Sequence, residues 1–198
     1  MILFYCIPRR DTNEIAHKLL KRFGSLHDVL CANPQTLAQE SYLTENAAVM
    51  IAMFRAVLQY DAASQMEGTL LDNYSKVCKF FLNLYMLEQR EIVRVALLDE
   101  KLRVLRCEIL SEGHPSAAQM PVRQLTELAY RANSNTIILA HNHPRGTAKI
   151  SGEDIAATRH LVPILLQCGI TIADHVVVCG DTAVSMREQG AFMGLEID

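Results

Sequence analysis

The sequence lacks the features that would place it in a membrane or in a secreted disulfide framework. No run approaches the roughly 20 consecutive apolar residues of a membrane-spanning helix. The first residues, MILFYCIPRRD, have neither the basic start nor the small-residue cleavage site of a signal peptide. Six cysteines lie far apart, with no Cys-x-x-Cys pair, which favours buried thiols in a reducing compartment. We therefore expect a cytoplasmic protein.

An excess of positive charge is also absent. The formal net charge of −3 argues against a large electrostatic surface for nucleic acid. One segment near the start is locally basic, with Arg9, Arg10, Lys18, Lys21 and Arg22. Such charges usually form a solvated helix face. We therefore expect at most weak binding to nucleic acid.

Residues 1–62 contain apolar side chains at helical spacing. The pattern predicts a helix over 11–23 that ends before Gly24, and three more helices follow. These cover Leu26–Cys31, a segment from Pro34, and a segment from Thr44 to about Tyr60. The helical period is lost from Asp61 onward, so we place a linker at 63–73. The sequence thus predicts a small all-α domain over 1–62.

Residues 74–198 alternate strand and helix patterns, and half of the whole chain is apolar, which suffices for a sizeable core. The predicted strands are Ile92–Leu98, Leu102–Leu110, Thr136–Ala140 and Ile170–Val178. The predicted helices run from Tyr74 to about Leu87, from Pro121 to about Ala132, and from Ser151 to Gln167. Elements in this order predict an α/β domain with a sheet flanked by helices.

The stretch that carries chemistry is NTIILAHNHPRGTAKISGED, residues 135–154. Its apolar strand runs directly into His141 and His143, which share one face of an extended chain because they are two residues apart. Ser151 begins a helix as the N-cap, and Asp154 lies one turn into that helix. We therefore expect His141, His143 and Asp154 to bind one divalent metal ion.

Each part of this pattern has a simpler explanation when taken alone. Most His-x-His pairs are loop or surface histidines, and an aspartate near a helix start often serves the helix dipole. The combination of strand, His-x-His-Pro, turn and Ser-x-x-Asp helix is more specific. Two histidines and one carboxylate leave a fourth position for water, as in hydrolytic zinc sites. A His-Asn-His nuclease and a two-histidine, one-carboxylate iron oxygenase fit the strand–helix context less well.

The motif His141-Asn-His143-Pro with Ser151-x-x-Asp154 resembles the JAMM motif of the JAB/MPN metalloprotease superfamily, and the neighbouring residues resemble its bacterial RadC-type branch. The resemblance implies a JAB/MPN-like mixed sheet and a Zn2+-dependent hydrolase acting on a peptide or an isopeptide-linked protein. It also implies that Glu108, five residues before Gly113, is the general base, and that Ser151 helps to hold the oxyanion. From the residues alone, Glu112 is an equal candidate for the base.

Two further features bear on the resemblance. Asp174 and His175 also match the RadC pattern, and we expect His175 to support the site by a hydrogen bond rather than as a fourth ligand. The first sixty residues resemble the helix-hairpin-helix domain of RadC-type proteins, but 40–44 (ESYLT) lack the usual glycines. We therefore expect that domain to pack or to dock a partner. A non-catalytic interaction module in DNA repair, with a structural metal, is the alternative function.

Overall fold

The computed structural model describes residues 11–64, 66–112, 121–144 and 146–194, together with Leu3 and Ile7. These residues fall into two units, Met1–Ala63 and Ser64–Asp198. None of the helices within the described ranges has the length and apolar character needed to cross a membrane.

The first unit consists of helices that begin at side-chain caps. Asp11, Ser25 and Asn33 each accept a hydrogen bond from a backbone N–H of the following helix, which satisfies donors that have no partner inside the helix. The helices are α1 (Thr12–Phe23), α2 (Leu26–Cys31), α3 (Pro34–Ala38) and α4 (Glu45–Ser64). This unit therefore has the helical character that the sequence predicts, although α4 ends four residues beyond the expected Tyr60.

Part of the segment expected to link the two units is hydrogen-bonded within the second unit. Residues 63–73 were expected to be a linker, yet α4 reaches Ser64, and 68–71 pair with the start of a hairpin. Gly68 N donates to Val104 O at 2.8 Å, and Leu71 N donates to Leu102 O at 2.8 Å. Leu71 is buried. The apolar side chain and the open edge of the hairpin explain why this segment joins the second unit.

Among its described residues, the second unit contains a mixed five-stranded sheet. Its elements are α5 (Tyr74–Tyr85), β1 (Ile92–Leu98), β2 (Val104–Glu112), α6 (Val122–Ala132), β3 (Thr136–Asn142), α7 (Gly152–Gln167), β4 (Thr171–Cys179) and β5 (Thr182–Ser185). The strand order is β2-β1-β3-β4-β5, and only β3 and β4 run parallel. The predicted α/β class, with a mixed sheet flanked by helices, is confirmed.

Both faces of this sheet are buried. Leu125 of α6 and Leu161 of α7 pack on one face against Ile137 and Leu139, and we call this the α6/α7 face. Phe81 of α5 belongs to the core on the opposite face, which we call the α5 face. The central strands are continuous apolar runs because neither face meets water. Residues of β3 with odd numbers project to the α6/α7 face, and His141 continues that row.

Tyr85 provides a test of how the centre of the sheet is held together. Its side chain is 5% exposed, and its hydroxyl lies 2.8 Å from Ala140 O and 3.0 Å from Ile92 O. We expect Tyr85→Phe to lower the free energy of unfolding by about 1 kcal/mol, because the buried carbonyls that share its single hydroxyl proton lose that donor. Tyr130→Phe is the control, since the Tyr130 hydroxyl bonds Cys168 O from a side chain that is 67% exposed. Urea denaturation measures both, and equal losses would contradict the expectation.

Candidate metal centre

Three side chains converge where β3 ends and α7 begins. His141 Nε2 lies 3.1 Å from His143 Nε2 and 3.1 Å from Asp154 Oδ1. One ligand atom from each of the three residues lies within 4.8 Å of the other two. Among the described residues this is the one group of three such side chains placed to share an ion. The structure therefore brings together the histidines and the aspartate that the sequence singled out.

The sheet extends one residue past β3, and this extension positions His143. His143 N donates to Val178 O of β4 at 2.7 Å, so the backbone stays extended and both histidines remain on one face. Asn142 projects to the opposite face. There its Oδ1 accepts from Ile92 N at 2.8 Å, and its Nδ2 donates to Arg90 O at 2.9 Å. The residue between the histidines thus fixes the chain that leads into β1.

The imidazole of His143 is oriented by the following loop. Its Nδ1 lies 3.1 Å from the carbonyl oxygen of Thr147. Because a carbonyl can only accept, Nδ1 carries the proton, and in the neutral ring Nε2 keeps a free lone pair. Metal-binding histidines characteristically donate their second ring nitrogen to such a carbonyl. The Nε2 atom that faces His141 and Asp154 is therefore the one able to bind a metal ion.

Asp154 is oriented by the start of its own helix. Ser151 and Asp154 form a capping box, in which Asp154 N donates to Ser151 Oγ at 3.0 Å and Ser151 N donates to Asp154 Oδ2 at 2.8 Å. The Ser151 hydroxyl also donates to Oδ2, at 2.6 Å. One carboxylate oxygen is thus occupied by the cap, and Oδ1 is left to face His141.

These contacts also determine the charge of Asp154. Burial of the carboxylate by itself raises its pKa, but the hydrogen bonds from His141 and Ser151 and the charge of His141 outweigh burial. The pKa of Asp154 is therefore held well below its usual value. The group is a carboxylate at neutral pH, which is the form that binds metal ions.

Behind His141 lies a buried row of polar groups. His141 Nδ1 is 2.8 Å from His175 Nε2, and His175 Nδ1 is 2.7 Å from Thr158 Oγ1. Burial lowers the pKa of His175 to about 3, with a further contribution from His141, so its ring is neutral. The structure thus places His175 in hydrogen-bond contact with His141, while the convergent group consists of His141, His143 and Asp154. Sequence reasoning missed Thr158, although its position one turn after Asp154 places both on one helix face.

Glu108 lies on the same sheet face as His141. It is opposite Val95 of β1, which is in turn opposite Leu139 of β3. Directly opposed residues project to one face, and Leu139 and His141 share a face because they are two residues apart. Glu108 is partly exposed and does not belong to the group of three that converges. It lies on that face across β1, level with Leu139, and outside the group of three.

Glu112 is separated from Glu108 by a β-bulge. Four residues along a regular strand would return to the same face, but the register shifts between Val93 and Arg94. Glu112 is consequently opposite Ile92, whose side chain belongs to the α5 face. Its carboxylate binds Arg90 at 2.5 Å. The structure therefore distinguishes two glutamates that the sequence alone left equivalent.

The capping box yields a stability prediction. We expect Ser151→Ala to lower the free energy of unfolding of the metal-free protein by about 1 kcal/mol, because the first turn of α7 loses its cap. Ser151→Asn should recover most of this loss, since asparagine caps helices as well as serine does. Urea denaturation followed by circular dichroism compares the three proteins. An Asn variant as unstable as the Ala variant would show that the cap is not the source of the loss.

Comparison with known proteins places this geometry in a family. Residues 71–191, more than half of the chain, match the family described as RadC-like JAB domain. UPF0758 protein VP0184 of Vibrio parahaemolyticus is 33% identical over 178 residues, which cover 89% of this chain and 80% of that protein. UPF0758 protein BPP1850 of Bordetella parapertussis is 34% identical over 182 residues, which cover 89% of this chain and 79% of that protein. The resemblance drawn from the motif is confirmed, and the chain belongs to the RadC family of proteins with a JAB domain.

Proposed function

We propose that this protein is a zinc-dependent hydrolase of amide bonds, of the JAMM metallopeptidase type. The observation that carries the proposal is the convergence of His141, His143 and Asp154 in a JAB domain, where one ligand atom of each residue lies within 4.8 Å of the others. Two imidazoles and one carboxylate fit zinc, and they leave a fourth position for water. The free Nε2 lone pair of His143 and the ionised Asp154 support the same assignment.

Zinc bound by these residues would supply a Lewis acid that lowers the pKa of water to about 7 and polarises a carbonyl. The residues of the chain supply the proton transfers. In this proposal Glu108 accepts a proton from the attacking water and delivers it to the leaving amine. Its position favours this role, because it lies on the face of His141 and remains outside the ligand group. The substrate class is a peptide or an isopeptide-linked protein.

Ser151 is proposed to hold the oxyanion of the tetrahedral intermediate. Its hydroxyl proton is bonded to Asp154 Oδ2, so this role requires the hydroxyl to rotate toward the substrate. Asp154 Oδ2 keeps a partner during that rotation, because Ser151 N donates to the same oxygen. The Oγ atom can also continue to accept from Asp154 N. The capping and catalytic roles of Ser151 are thus compatible.

The first experiment measures the zinc content of the purified protein. We expect about one zinc ion per chain in the purified protein and a loss of most zinc in His143→Ala, because a ligand is removed. His160→Ala is the matched control, since His160 is an exposed histidine of α7. Elemental analysis of the three proteins, with circular dichroism to verify folding, decides the assignment. Equal zinc in the wild type and in His143→Ala would contradict it.

The second experiment separates metal binding from catalysis. A panel of peptide and isopeptide-linked substrates is screened first with the wild-type protein. We expect Glu108→Gln to keep its zinc and its fold but to lower kcat by roughly 10²–10⁴-fold, because the side chain can no longer accept a proton. Glu112→Gln should change kcat little, since Glu112 lies on the opposite face and binds Arg90.

The pair of glutamate variants also tests the assignment of the base. Full activity in Glu108→Gln together with loss of activity in Glu112→Gln would show that the base is the other glutamate. If the wild-type zinc form binds a peptide of the panel but cuts none, the result favours an interaction module with a structural metal over a hydrolase.

A further inference from the structure

We propose that Thr158 and His175 are positioning residues that keep a proton on His141 Nδ1, so that Nε2 is the nitrogen available to a metal ion. The inference rests on the zinc site proposed above. Its physical basis is a row of hydrogen bonds from α7 to β3. The direction in which each bond is donated follows from the last group in the row, the carbonyl of Asp154. We call this row, Asp154 O–Thr158–His175–His141, the relay.

The relay begins at a group that can only accept. Thr158 Oγ1 lies 2.8 Å from the carbonyl oxygen of Asp154, one turn earlier in α7, and 2.7 Å from His175 Nδ1. A hydroxyl has one proton. If that proton is on the bond to the carbonyl, Thr158 Oγ1 accepts from His175 Nδ1–H and both contacts are satisfied. If it is directed at His175, two oxygens face each other without a proton between them, which is costly in a buried site.

The donor and acceptor roles at Thr158 determine those at His175 and then those at His141. His175 is 1% exposed and lies behind the ligands, where a neutral ring carries a single proton. With that proton on Nδ1, His175 Nε2 must accept, and its partner at 2.8 Å is His141 Nδ1. His141 therefore donates from Nδ1, which leaves Nε2 as the nitrogen that can bind a metal ion. This is the atom that lies 3.1 Å from both His143 Nε2 and Asp154 Oδ1.

The opposite direction is incompatible with metal binding by His141. A proton on His175 Nε2 would be donated to His141 Nδ1, and the neutral His141 ring would then carry its own proton on Nε2. For His143 the same choice is made by one backbone carbonyl, that of Thr147. For His141 it is made by the carbonyl of Asp154, through two intervening side chains. One ligand residue thus determines the tautomer of another.

Nuclear magnetic resonance of the metal-free protein tests the direction of the relay. Long-range ¹H–¹⁵N spectra of the imidazoles report which nitrogen of His175 carries the proton. We expect the Nδ1–H tautomer in the wild type. In Thr158→Val we expect a change to the Nε2–H tautomer, because Nδ1–H would have no acceptor. An Nε2–H tautomer of His175 in the wild type would overturn the proposal, and this measurement needs neither zinc nor activity.

Zinc affinity, measured by competition with a chelator, tests the consequence of the relay. We expect Thr158→Val to bind zinc about 10- to 100-fold more weakly, as is typical when the hydrogen-bond partners behind a ligand are removed. Thr158→Ser keeps the hydroxyl and should bind within a few-fold of the wild type. Thr126→Val is the matched control, because the Thr126 hydroxyl bonds Val122 O one turn earlier in α6, as the Thr158 hydroxyl does Asp154 O in α7.

The outcomes separate this inference from the proposed function. Wild-type affinity in Thr158→Val would overturn the relay while leaving the zinc site standing. Absence of zinc from the wild type would refute the proposed function, and the tautomer of His175 would still decide the direction of the relay. If Thr158→Val does not fold, the wild-type tautomer and the affinity of Thr158→Ala decide in its place.

Discussion

The parallel pairing of β3 and β4 is the constraint on which the metal centre depends. Parallel neighbours require a crossover connection, and here that connection is α7. A crossover helix begins near the carboxyl end of the strand that precedes it, so the first turn of α7 lies beside the end of β3. His141 and His143 are at that strand end, and Asp154 is in that first turn. Two adjacent segments of sequence therefore supply all three candidate ligands without any distant loop.

Local hydrogen bonds then orient the ligand side chains, because the topology alone determines only where their backbones lie. The capping box that starts α7 also occupies Asp154 Oδ2, so that Oδ1 is the oxygen that faces the histidines. The loop carbonyl of Thr147 does the same for His143. His143 and Asp154 are thus oriented by backbone groups that lie close to them in sequence. Side chains held by such hydrogen bonds lose less freedom when an ion binds, which reduces the ordering that binding would require.

Much of this site could be predicted from the sequence, because the ligands lie within fourteen consecutive residues and strand and helix starts have local signals. Glu108 could not be separated from Glu112, since the difference depends on a bulge in the pairing of β2 with β1. Thr158 was missed because its role depends on His175, which follows it by 17 positions and lies on another element. Leu71 pairs with the hairpin only in the folded chain. The local sequence pattern was sufficient to predict the ligands. The groups around the ligands could not be predicted in this way, because their positions depend on long-range pairing in the folded chain.

Asn142 has a consequence for any attempt to move this centre into another protein. The two histidines face one side of the sheet, while the side chain between them is bonded to the backbone of residues 90–92 on the other side. A designer who transplants only the His-x-His segment and the α7 start would leave a buried amide without partners, at a cost of roughly 1–3 kcal/mol. The smallest portable unit therefore includes a third backbone segment that never touches the ion and precedes the motif by fifty residues.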